Sequence, residues 1–157
     1  MTDLAIENVQ SYPRPPALEH VAQRVSVSLG GTVIAESTRA IRVLETHHAP
    51  TYYILPEDVS ATLIPTSGGS FCEWKGSAQY FDVIAGSITV NRAAWSYSKP
   101  TEPFASIAGY FAFYPGLMEE CRVGDHRAVP QPGGFYGGWV TPNLLGIPKG
   151  ARGTENW

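Results

Sequence analysis

The feature that most limits what this chain can become is a missing one. No long segment repeats apolar residues at i, i+3, i+4 and i+7, and the apolar stretches that do occur are short and cut by 16 glycines and 13 prolines. An amphipathic helix needs that repeat to bury one face, so the pattern predicts a mainly β protein with one or two short helical turns. "RVSVSL" (24–29) and "TVIAES" (32–37) alternate with period two around Gly30 and Gly31, residues free to take the positive φ angles of a two-residue hairpin turn. "RAIRVLET" (39–46) and "TYYILP" (51–56) read as strands joined through "HHAP", with Pro50 interrupting the ladder at the corner. "PEDVSATL" reads as a helical turn opened by Pro56. Four short strands follow, "SFCEWKG", "AQYFDVIA", "SITVN" and "RAAWSY", with a turn at Ala85–Gly86, and then a helical turn in "TEPFAS". The aromatic run "IAGYFAFYP" (107–115) is continuous enough for a central strand buried on both faces.

A length of 157 residues fits one core. The composition divides it into residues 1–115, a single β domain with a Pro-rich lead-in, and residues 116–157, an irregular Gly/Pro-rich arm. That arm carries Phe135, Tyr136, Trp139 and Trp157. A disordered tail has little use for such rings, so the arm is expected to lie against the domain or against a neighbouring subunit, which makes a homo-oligomer one expected outcome. A net charge of -3 offers polyanions no general attraction, which argues against nucleic acid as a partner. The start "MTDLAIENVQSYPRPP" lacks a basic stretch followed by a long apolar run, and nowhere do 18 apolar residues stand together. The expectation is a soluble, cytoplasmic protein with no membrane partner. Two cysteines, Cys72 and Cys121, without a CxxC, predict reduced thiols and neither metal nor cofactor.

Glu45 and His47 are two apart at the end of a strand and so would share a face, as two metal ligands can; the competing reading is a polar cluster beside a turn. Glu45 also shares its face with Ile41 and Val43, which would bury it, and a buried carboxylate needs a cation or several donors. Lys75 is the candidate cation. Cys72 stands three residues before Lys75, on the opposite face of a regular strand, so bringing them together requires a bulge, for which Gly76 is suited. With Lys75 near, Cys72 would be an activated thiolate; without it, an inert buried thiol. "GGSFCEWKGS" resembles a phosphate-binding loop only in composition, because Lys-Gly-Ser replaces Gly-Lys-Ser/Thr, and no Gly-x-Ser-x-Gly elbow occurs. The aromatics carry more. Trp95 and Tyr97 share one strand face, Tyr110 and Tyr114 another, and Tyr53 and Tyr80 flank the Cys72–Lys75 stretch. Tyr and Trp have a polar atom that needs a partner when buried, which suits a wall that is packed on one side and meets a ligand on the other.

In fixed order the chain shows "YPRPP", "GGTVIAEST", "RVLETHHAPTYYILPEDV", "CEWKGSAQYF", "AAWSYSKP" and "IAGYFAFYP". This series resembles the family known as domain of unknown function 427, over roughly residues 12–115. The family motif falls on Glu45, Tyr53, Pro56, Cys72, Lys75, Gly76, Tyr80, Trp95, Tyr97, Phe113 and Tyr114. The resemblance implies several short coiled antiparallel sheets of β-tent, or Mss4-like, type, an architecture shared with B-type methionine sulfoxide reductases and the thalidomide-binding domain of cereblon. Many proteins of that architecture hold zinc with two CxxC pairs, absent here, and the catalytic cysteine context of the reductases is unmatched.

The functional expectation is a domain that binds a small polar organic ligand, with Tyr53, Tyr80, Trp95, Tyr97 and Tyr114 lining a cleft and Glu45 and Lys75 orienting the ligand. The first alternative is an enzyme in which Glu45 acts as acid or base with Lys75 or Cys72 as its partner. The second is a self-association module working through the arm.

Overall fold

The computed structural model describes residues 4–72, 74–133 and 136–154. It is mainly β, with small antiparallel sheets and short 3₁₀ turns. Val25–Leu29 and Thr32–Ser37 form the hairpin read from the alternation, with Gly30 and Gly31 at φ 64° and 77° in its turn. Ala17–His20, Ile41–Leu44 and Thr51–Tyr53 make a three-stranded sheet, so part of the Pro-rich lead-in is a paired strand. The 3₁₀ turns at Pro56–Asp58 and Glu102–Ile107 stand where helical turns were expected.

The middle of the chain is longer-stranded than its sequence suggests. Where four strands were expected there are three, Thr62–Cys72, Gly76–Ala85 and Ile88–Ser96. "SITVN" and "RAAWSY" are one strand with an irregularity at Arg92, whose φ is 50° and whose backbone N–H donates to the Asp82 carboxylate (2.9 Å) instead of to a ladder carbonyl. The "SFCEWKG" strand stops at Cys72, which pairs with Gly76 across a hairpin end.

The expected strand 107–115 is reduced to Phe111–Phe113. It closes the edge of the four-stranded sheet against Ile88–Ser96, and on its other side Phe111 exchanges two backbone hydrogen bonds with Ile54 (2.8 and 2.9 Å). Thr51–Ile54, Ala94–Trp95 and Phe111–Phe113 therefore form one wall, and its pleat sends successive side chains to opposite sides. Tyr52, Ile54, Ala94 and Phe113 enter a large core with Val25, Val27, Ile34 and Val83, while Tyr53, Trp95 and Ala112 enter a smaller one with Ile41, Val43, Phe104 and Ile107. A wall buried on both faces is why these segments read as unbroken apolar runs.

The line drawn at 115/116 falls inside the packed unit. Glu120–Val123 pairs with Ser28–Val25 over four positions, and Cys121 and Val123 are buried in the large core. The arm beyond it folds back on its own chain. Trp139 is fully buried, its Nε1–H donates to the Phe113 carbonyl (3.2 Å), and its ring lies 4.8 Å from that of Tyr52. Phe135 and Trp157 lie outside the described residues. Among the described residues no helix is long and apolar enough to cross a membrane.

Candidate functional site

The smaller core opens into a cavity of about 280 Å³. Its lining includes Glu45, Cys72, Lys75, Tyr53, Tyr80, Trp95, Tyr97 and Tyr114. Tyr110, paired with Tyr114 in the sequence reading, is not on it. The aromatic part is tightly built. Trp95 Nε1–H donates to the Tyr53 hydroxyl (3.3 Å), the two rings meet edge to face, and Tyr114 lies 4.6 Å from Trp95. Burial pushes the Tyr53 hydroxyl far above its ordinary range and raises Tyr97 and Tyr114 as well, so all three remain protonated at neutral pH.

Cys72 and Lys75 reach the cavity by a different route from the bulge expected. The chain turns between Cys72 and Gly76, with Gly76 at φ 103°, so strand alternation does not separate the two residues. The Lys75 carbonyl accepts the Thr101 N–H (3.1 Å), which ties this turn to the segment after Tyr97. Lys75 is only 8% exposed. Its ammonium stands 5.9 Å from the ring centres of both Tyr97 and Phe104, and among the described residues no carboxylate is within ion-pairing distance of it.

Glu45 lies just past its strand, not on it. Ile41–Leu44 ends one residue earlier, and His47 takes φ 67° in the turn that follows. This removes the shared face expected for Glu45 and His47. The residue that meets Glu45 in the cavity is His48, with Nε2 3.7 Å from a Glu45 carboxylate oxygen. Burial lowers the His48 pKa to about 4, helped by the charges of Lys149 and Lys75, so its ring is neutral at pH 7.

The arm supplies what the sequence reading missed. Tyr136, Gly137, Gly138 and Lys149 all line the cavity. A Cβ on Gly137 would fall on the Trp95 ring, so only glycine lets the arm lie this close. Gln131, 1% exposed, holds the corner: its Oε1 accepts the Ala49 N–H (3.0 Å) and its Nε2 donates to the Lys149 carbonyl (2.8 Å). The one local signal for this contact was the "GGW" run, two glycines before a tryptophan. Nothing local marks Gln131 or Lys149.

A second cavity of about 580 Å³ lies beyond Tyr114 and Tyr136, and its described lining includes three prolines and two glycines. Its one cation, Arg92, is already engaged, stacked on Tyr80 and hydrogen-bonded to Thr66 and the Ser67 carbonyl. The smaller cavity has the convergent polar groups, and on that ground it is the candidate site. A four-thiolate zinc does not fit this chain. Cys121 is buried in the large core and Cys72 borders the cavity, and among the described residues no three His, Cys, Asp or Glu side chains are grouped to hold a metal.

No curated protein matches the sequence. The sequence model of the family described as domain of unknown function (DUF427) matches residues 17–124, running past the expected limit near 115 to take in Glu120–Val123 beside the hairpin. The chain therefore belongs to the DUF427 family.

Proposed function

We propose that the protein binds a small polar organic ligand in the 280 Å³ cavity, with Glu45 and Lys75 orienting it and Tyr53, Tyr80, Trp95, Tyr97 and Tyr114 forming its walls. The observation that carries this reading is Lys75, only 8% exposed, set on a concave, aromatic cavity with no carboxylate within ion-pairing distance among the described residues. A bound anionic acceptor would give this ammonium a charge-assisted hydrogen bond. The volume is at the small end of ligand sites, which favours a metabolite over a polymer segment. Kinship with the β-tent architecture is part of the same proposal, supported by the motif order and the several small antiparallel sheets.

The test is native mass spectrometry of the protein isolated from its own cells, beside a Lys75→Met variant. A retained small molecule present on the first and lost from the second is expected. Protein that is free of any compound in both, and that takes up nothing from a total metabolite extract, removes the reading.

Acid–base catalysis is the second reading, favoured by the approach of neutral His48 to Glu45 (3.7 Å). Its measurement is a Glu45→Gln variant that still binds the retained molecule but no longer turns it over. Self-association through the arm draws less support, since Trp139 is used inside its own chain.

A further inference from the structure

The chemistry of the cavity wall narrows the ligand further, on the premise that the cavity is a binding site. The Gln131 amide cannot be reversed. In its present orientation it meets one donor, the Ala49 N–H, and one acceptor, the Lys149 carbonyl; turned over, it would set N–H against N–H and oxygen against oxygen. The Gln131 Nε2 therefore faces His48 Nδ1, 3.2 Å away, as a donor. A neutral imidazole that accepts at Nδ1 carries its proton on Nε2. His48 thus presents an N–H on its cavity side, toward Glu45.

Several other groups on the lining can also donate. Tyr53 already accepts from Trp95, which leaves its own proton to give. Tyr97, kept protonated by burial, also has a proton to donate, while the Tyr114 hydroxyl is hydrogen-bonded to Tyr80. Lys75 and Lys149 are donors only, and Lys149, half-buried on the arm, has no carboxylate within ion-pairing distance among the described residues. Among the described residues the charged lining sets one carboxylate, Glu45, against two ammonium groups. A cation would meet repulsion from both lysines, and a neutral ligand would give neither an ionic partner.

We infer that the ligand is a small organic oxyanion, a carboxylate or a phosphate monoester, whose charged end is held by Lys75 from the hairpin and Lys149 from the arm. The arm is then a working part of the site. The two lysines and Glu45 together neutralise one negative charge, that of a carboxylate, whereas a phosphate monoester brings close to two at neutral pH.

The test is calorimetric titration of the full chain with four probes of one shape: benzoate, phenyl phosphate, benzamide and benzylamine. At least one anion is expected to bind, with benzamide and benzylamine at least tenfold weaker. Benzoate above phenyl phosphate names a carboxylate as the natural charge, and the reverse order names a phosphate. Lys75→Met and Lys149→Met, each checked for an unchanged near-ultraviolet circular dichroism spectrum, are expected to weaken the preferred anion at least tenfold and about fivefold. Benzamide or benzylamine binding as tightly as the anions overturns the inference, as does a folded Lys149→Met variant with the affinity of the parent. If neither anion binds while protein from its own cells still carries a neutral compound, the oxyanion reading falls and the binding site stands. If nothing binds and nothing is carried, both fall.

Discussion

The molecule buries positive charge in two places, and the two are built in opposite ways. Arg42, on the three-stranded sheet, is fully answered by its own chain. Its guanidinium holds Glu7 through two contacts (2.6 and 3.0 Å) and Glu19 through two more (2.5 and 2.8 Å), and Tyr12 donates to Glu7 (2.5 Å). Burial would raise the Glu7 carboxyl, but the hydrogen bonds from Arg42 and Tyr12 outweigh it and hold the pKa below its ordinary 4.5. Lys75 is buried about as deeply and has two aromatic rings for company and no acid among the described residues. The contrast teaches that this chain can pair a buried cation internally, so Lys75, with no acid beside it among the described residues, is better read as a group kept for a partner than as a packing fault.

The comparison breaks most visibly in stability. Arg42→Met strands the Glu7 carboxylate and should cost about 3 kcal/mol in urea denaturation, nearly all from the Glu7 side, because Glu19 is half exposed and contributes little. A loss below about 1 kcal/mol would mean that the cluster is solvated and the contrast false.

Acid should separate the regions next. The folded state holds His48 neutral down to about pH 4, whereas the unfolded chain protonates near 6.5. Its stabilisation is therefore complete above 6.5 and is lost as the pH falls toward 4, a change of about 3 kcal/mol. Glu7 has a lowered folded pKa, so its contribution is complete above 4.5 and is lost only as the pH falls through that lower value. A denaturation series between pH 7 and 3 should show two successive losses, with the first absent in His48→Gln. A His48 ring that titrates near 6.5 by NMR would contradict the burial argued for it.

A smaller effect tests the arm. In Gly137→Ala the added methyl must displace the Trp95 ring, at about 1–3 kcal/mol, with a shift in tryptophan emission that Gly153→Ala, open to solvent, does not produce. The smallest effect sharpens the comparison from the other side. Lys75→Met removes a charge that no acid among the described residues pairs, so stability should change by less than about 1 kcal/mol and in the stabilising direction if at all. A loss as large as that of Arg42→Met would show that Lys75 is as structural as its counterpart.

How far the sequence could be read depended on the reach of each contact. The hairpin at Gly30–Gly31 and the turn at Pro56 were legible because a few adjacent residues settle them. The chemically distinctive residues Glu45, Cys72, Lys75 and the five rings were legible as candidates, and the fold lays all of them along one cavity. The routes were not legible. A three-residue spacing looked like opposite strand faces for Cys72 and Lys75 until the chain turned between them, and period-two reasoning paired Glu45 with His47 until a left-handed residue broke the strand. Gln131 lies 83 positions from His48, and no local pattern announces a contact of that range.

By itself the chain's composition and periodicity determined a mainly β molecule, the positions of its tight turns, and a short supply of residues able to do chemistry, because these depend on backbone preferences and on side chains one or two positions apart. Tertiary structure alone decided that one three-strand wall would serve two cores, that the Gly/Pro-rich arm would return to close the cavity, and that one buried cation would be paired and the other left open. Those outcomes turn on which distant surfaces come to lie within a few ångströms of each other, and that is a property of the packed chain, which no stretch of it carries alone.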